Sequence, residues 1–206
     1  GVAKTITFAN SGTSSINSTV TLSLAMASLV EGTAVNINSG TNAGVTLNLA
    51  AATALGTLAQ VNVSGNSTLN IGAAQTLGSL SGNGTVTASG VFSLTVGNVN
   101  SSPALSTNFT GTLSNGTGTL ALIKNGLGTL TLTPTASTYT GTTTVNAGIL
   151  KLGNAGALGT TTGVLIGVGG TVDLNGQSTD RSFTSVNGTG HDGGGALINT
   201  SGTTST

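Results

Sequence analysis

The sequence predicts an all-β chain, a parallel β-solenoid with about 20–25 residues per turn, and three observations predict it. Helical periodicity is nearly missing. Short runs alternate Thr, Ser or Asn with Leu, Val or Ile, bounded by Gly, Asn and Ser. Similar runs then return at a nearly constant spacing.

The strand-like runs come in order along the chain. Thr5-Ile6-Thr7-Phe8 is followed by Val45-Thr46-Leu47-Asn48-Leu49 and Gln60-Val61-Asn62-Val63. Ser67-Thr68-Leu69-Asn70-Ile71 and Thr129-Leu130-Thr131-Leu132-Thr133 continue the pattern. Alternation puts aliphatic side chains on one face and hydroxyls on the other. The single helix candidate is Leu22 to Leu29.

Spacing turns these runs into an architecture. Leu55-Gly56-Thr57-Leu58 returns as Leu77-Gly78-Ser79-Leu80, a step of 22. Val61 and Val63 return as Val86 and Ala88, and Ser67–Gly72 as Phe92–Gly97, both after 25. Leu130/Leu132 return as Leu150/Leu152 after 20 and as Val172/Leu174 after a further 22. A second series runs Leu122, Val145, Ile166 with steps of 23 and 21. Two interleaved series imply two or three short strands per turn. One such turn cannot bury its own aliphatic face, so successive turns must stack in parallel, about 4.8 Å apart. About nine turns then make a rod on the order of 40 Å long. The alignment also makes Lys151 and Asp173 outward neighbours, one turn apart, in a pair worth ~0–1 kcal/mol if exposed.

Composition narrows the function classes. The 206 residues include four Lys or Arg, four Asp or Glu and one His, for zero formal net charge. Charged residues are 4% of the chain, against about 25% in ordinary globular domains. Hydrophobic residues are 36%, too many for a disordered polar tract. No basic cluster exists to bind nucleic acid or an anionic membrane. Cysteine is absent, so neither disulfides nor thiolate metal sites are expected. No run of 18 apolar residues offers a helical membrane span. Gly1-Val2-Ala3-Lys4 leads straight into a strand-like run, and Thr203-Thr204-Ser205-Thr206 ends without a visible cap. Residues 1–206 are therefore read as one repeat array within a longer protein.

One stretch carries a sharper signature. Lys124-Asn125-Gly126-Leu127-Gly128-Thr129-Leu130-Thr131-Leu132 is followed by Tyr139-Thr140-Gly141 and Thr143-Thr144-Val145-Asn146-Ala147-Gly148. Leu150-Lys151-Leu152-Gly153, Asn154–Gly159 and Val172–Gly176 complete it. Residues 122–175 closely resemble the autotransporter-associated β-strand repeat, also called the passenger-associated transport repeat. Leu77–Thr87 and Ser182–Gly190 look like weaker relatives, and Gly141-Thr142 departs from the glycine pair more usual in the family. The resemblance implies a right-handed parallel β-helix in a large bacterial protein, extracellular or on the outer cell surface. It implies a structural stalk or fibre role without a reaction; the alternative expectation is an adhesin module that binds a surface ligand through loops such as Asn98–Asn108.

The chemistry-bearing residues are few. Asp173, Asp180 and Asp192 lie on different turns, which disfavours the facing carboxylates a glycosidase needs. His191-Asp192 with Ser185 or Ser201 lacks a nucleophile elbow and an oxyanion-hole motif. Gly188-Thr189-Gly190-His191-Asp192 has the opening of a calcium nonapeptide, yet Gly193-Gly194-Gly195 follows and no second copy does. An ice-binding array is disfavoured because Thr129/Thr131 become Ile149/Lys151 and then Thr171/Asp173 on successive turns. Asn-x-Ser/Thr triplets at Asn17, Asn66, Asn108 and Asn187 leave glycan modification open. Aromatic content of 2% argues against a sugar-stacking groove. No catalytic, cofactor-binding or metal-ligating residue is assigned. Two alternatives follow for the ends: Thr206 of one copy stacks head to tail on Gly1 of a second copy to build filaments, or both ends are cuts in a longer chain.

Overall fold

A computed structural model describes residues 4–10, 17–23, 33–39, 43–97, 104–134 and 136–204. The chain coils as a three-sided parallel β-solenoid. The first face carries β1 (Thr5–Asn10), β3 (Ala34–Ser39), β5 (Gln60–Ser64), β8 (Ser79–Gly82), β11 (Thr107–Phe109) and β14 (Thr129–Leu132). The second carries β2 (Ser18–Leu22), β4 (Val45–Leu49), β6 (Thr68–Ile71), β9 (Thr85–Ala88) and β12 (Thr112–Gly116). The third carries β7 (Gln75–Leu77), β10 (Val91–Val96), β13 (Thr119–Lys124) and β17 (Phe183–Val186). β15 (Thr143–Leu152) and β16 (Val164–Asp173) each run from the third face into the first, and β18 (Leu197–Ile198) closes the first. The second face is a 5-stranded sheet, and the other two join into a 13-stranded one.

Each strand pairs in parallel with its counterpart one coil on, as in Val35↔Val61 and Leu47↔Leu69. Alternation then sends Val35, Ile37, Leu47, Leu49, Val61, Val63, Leu69 and Ile71 into one dry interior. That interior continues through Leu130, Leu132, Leu150, Leu152 and Val172. Full burial of an aliphatic side chain contributes about 1.5–3 kcal/mol, so the stacked coils hold one another in place. Of the sequence's helix candidate, residues 24–29 lie outside the described residues.

Registers agree with the sequence in one region and differ in another. Leu130↔Leu150, Leu132↔Leu152, Leu150↔Val172 and Val145↔Ile166 are partners as expected. Leu122 is not the partner of Val145. It faces Thr143, and Val145 faces Lys124, a slide of two places that leaves the inward face unchanged. Nor do the returns after 25 join partners. Val61 pairs with Leu80, Leu69 with Val86, and Leu94 with Gln75 and Leu122. Leu80 therefore stacks on Val61 and not on Leu58. The physical reason is that all three faces carry the same alternation, so likeness alone does not say which face a strand belongs to. Coils also differ in length: Thr68 has its partner at Thr85, a short coil, whereas Thr5 has its partner as far on as Ala34.

Candidate functional site

The residues with chemistry cluster at two places, both built from coil corners. At the first, β13 ends on Lys124 and the chain turns through Asn125, Gly126 and Gly128 into β14. Lys124 takes an inward position and is 2% exposed. Its Nζ donates to the carbonyls of Asn125 at 2.7 Å, Gly126 at 2.7 Å and, on the next coil, Ala147 at 3.1 Å. Burial pushes its ammonium down to about 8, while the three carbonyl acceptors favour the charged form. Gly148, at φ +66°, lets the coils approach here. A Cβ at that position would sit 2.4 Å from the Gly126 carbonyl oxygen and 2.6 Å from that of Gly128.

Beside this corner runs a buried hydroxyl chain. Tyr139 Oη shares a 2.8 Å bond with Thr143 Oγ1, which donates to Thr161 Oγ1 at 3.3 Å. Thr161 in turn donates to the Gly141 carbonyl at 2.7 Å. Burial raises the Tyr139 phenol well above its ordinary value, so it stays a neutral donor.

The second cluster centres on Asp173, the register partner of Lys151 as the sequence predicts. Lys151 Nζ lies 3.2 Å from its Oδ2. The expectation that both face solvent needs correction, because the side chain of Asp173 is only 3% exposed against 32% for Lys151. The chain from His191 onward folds over the first face here. Thr200 donates to Asp173 through its hydroxyl at 2.6 Å and its N–H at 3.0 Å, and the Asn175 N–H adds 2.9 Å. Burial alone would raise the carboxyl, but these donors and Lys151 outweigh it and hold it below the usual carboxylate range. Thr171 is covered too, accepting from the His191 N–H and donating to the Gly195 carbonyl.

The remaining sequence candidates stay apart. Asp180 pairs with the neighbouring Arg181, whose hydrogen bond and charge lower its carboxyl. His191 Nε2 meets Asp192 Oδ2 at 3.1 Å. Ser185 instead accepts from Asn187, and Ser201 bonds Thr203. Asp192 thus lies against His191, and among the described residues no group of three metal-ligating side chains forms. Asn17, at the first glycan triplet, accepts from the Gly44 N–H, and Asn108 accepts from Thr133. Residues 98–103 of the loop candidate, like Gly1 and Thr206, lie outside the described residues; Ser106 accepts from the Thr129 N–H.

Two features escaped the sequence reading. Lys124 did, because a lysine in an alternating run reads as outward. So did a row of threonines on the second face, Thr19, Thr46, Thr68, Thr85 and Thr112, which occupy one outward position on successive coils. The chemistry that changes at each turn belongs to the first face. Beside that row, Asn48 donates to Thr21 at 3.2 Å, Asn70 to Asn48 at 3.0 Å and Thr87 to Asn70 at 3.0 Å.

The step from β14 to β15 and the lysine corner fall in the stretch that carries the sequence signature. Residues 122–152 match the family model of the Passenger-associated-transport-repeat. The match implies an autotransporter passenger-type repeat protein, of a secreted or surface-exposed kind. No curated protein and no solved structure matches the chain. Within the matched stretch, Lys124, Tyr139, Gly148 and Lys151 hold one coil on the next.

Proposed function

We propose that the chain serves as a rigid spacer, a stalk or fibre segment in an extracellular bacterial surface protein. The observation that carries this reading is the unbroken aliphatic interior, to which successive coils contribute from Val35 to Val172. Three of the described ionisable groups tie one coil to the next: Lys124 through the Ala147 carbonyl, and Lys151 with Asp173, which also accepts from Thr200. The role needs no reaction and no cofactor. Electron microscopy of the isolated chain tests it, with rods on the order of 40 Å long expected from the spacing of the strands. Flexible, irregular particles would contradict it.

Self-association fits the same reading. β1 pairs only with β3 among the described strands, so where no further coil of the same protein covers it, its edge can template pairing with another chain. Filaments growing with concentration support this, and discrete single rods at all concentrations oppose it. Adhesion is the second reading, favoured by apolar side chains standing out at coil corners, with Val168 72% exposed and Leu127 53%. A screen of the isolated chain against host-cell surfaces and glycans separates the two. Glycan modification at the asparagine triplets is compatible with either, and mass measurement of the exported protein reads it directly.

A further inference from the structure

We propose that Lys124 is the register key between β13 and β15, selecting one of two pairings that the hydrophobic pattern cannot tell apart. The alternation of Leu120, Leu122 and Lys124 against Thr143 and Val145 is preserved when one strand slides by two places. In such a slide Leu122 meets Val145, aliphatic against aliphatic, and Lys124 moves opposite Ala147. The observed pairing sets Leu122 against Thr143 instead. It sets a leucine against a threonine and a lysine against a valine, so apolar matching does not select it.

Polar geometry selects it. In the observed register the ammonium reaches Asn125 and Gly126 on its own coil and Ala147 on the next, and its three hydrogens each find an oxygen. Among the described residues no backbone N–H donates to the Asn125 or Gly126 carbonyl, so Lys124 is what satisfies them. A slide of two places carries the Ala147 carbonyl away from the corner and leaves the buried charge one acceptor short. Buried polar groups cost most when partly satisfied, which is how one polar side chain can fix register inside an otherwise permissive core. Gly148 complements the lysine, since its missing Cβ allows the two corners to touch.

The chain has no cysteine, so paired cysteines report register directly. Ile123→Cys with Thr144→Cys joins observed partners; Ile123→Cys with Asn146→Cys joins the partners of the slid register. Partner Cα atoms lie about 4.8 Å apart, within disulfide reach, and the slide takes them past about 7 Å. With Lys124 in place, oxidation is expected to close the first pair at least tenfold more than the second. In a K124M background that ratio is expected to fall at least tenfold while a cooperative melt persists. An unchanged ratio overturns the proposal. A K124M chain that shows no cooperative melt overturns it too, because Lys124 would then be needed for folding as such; K124L, measured alongside, guards against a fault peculiar to methionine.

Discussion

The coils from Thr129 to Asp173 and those from Gln60 to Val96 are built from the same alternation, yet only the first set announces its own stacking. From β14 through β15 to β16 the partners Leu130, Leu150 and Val172 are also the visible repeats, so a return in sequence is a neighbour in space. In the earlier set the coils are uneven, short from Val61 to its partner Leu80 and long from Leu94 to its partner Leu122. The likeness of Ser67–Gly72 to Phe92–Gly97 therefore joins the second face to the third. A solenoid tolerates such variation because each coil needs only an inward aliphatic row, whatever the length of its corners.

The largest expected effect comes from deleting apparent repeats. Removing residues 130–149 takes out one register step, Leu130↔Leu150, and should leave a shorter solenoid that still melts cooperatively by circular dichroism. Removing residues 68–92, an equally plausible repeat by eye, deletes β6 and puts the rest of β10, a third-face strand, in its place on the second face, which should abolish the transition. If both deletions behave alike, the contrast between the two regions is lost.

Next comes Gly148→Val, which places a branched side chain at φ +66° against two carbonyl oxygens. Strain of this kind costs ~1–3 kcal/mol before the clash is counted. Gly167→Ala, whose Cβ would approach no atom closer than 3.3 Å, should stay within about 1 kcal/mol. Urea titrations of the two variants separate corner packing from glycine content.

A comparable effect depends on pH. The folded-state pKa of Lys124, about 8, lies below its unfolded value of 10.5, so between these values the unfolded chain binds more protons. The burden of burying the charge is thus fully present below pH 8 and is relieved as pH rises to 10.5. Relative to K124M, the native chain should gain up to roughly 3 kcal/mol across that window, less whatever the carbonyl acceptors already recover. A flat difference from pH 8 to 10.5 would contradict this. Asp173 has the opposite sign. Its folded pKa is depressed, so its contribution is present above the unfolded carboxylate value and fades as pH falls through the folded one. Asp173→Asn should flatten the acid limb of the stability curve.

The smallest effect is expected from Lys151→Ala. Lys151 is about one-third exposed, and loss of its ion pair should cost ~0–1 kcal/mol. Thermal melts of this variant beside the native chain check it.

Much of the fold was legible in the residues. Alternation in Val45–Leu49 or Thr129–Leu132 shows which side chains face in, and the Lys151–Asp173 pairing followed from counting. Register was less legible, because a slide of two places keeps every side chain on its face, as Leu122 and Val145 show. Burial of Asp173 and Thr171 was hidden because the chain that covers them, from His191 to Thr200, has no strand periodicity. Lys124 was hidden by its own charge. Only coordinates show three carbonyls converging on an inward position.

One outward file on the first face measures the central feature, the parallel stacking of successive coils. Asn36, Asn62 and Ser81 are consecutive partners, and Asn108, Thr131 and Lys151 continue the file through β11, β14 and β15. With one spin label at Asn36 and a second moved along the file, backbone separations should rise steadily. From the strand spacing they should reach about 10 Å at Ser81, about 19 Å at Thr131 and about 24 Å at Lys151. Distances that rise and then fall, as antiparallel hairpins would give, or that fail to depend on coil number, would contradict the stacked solenoid.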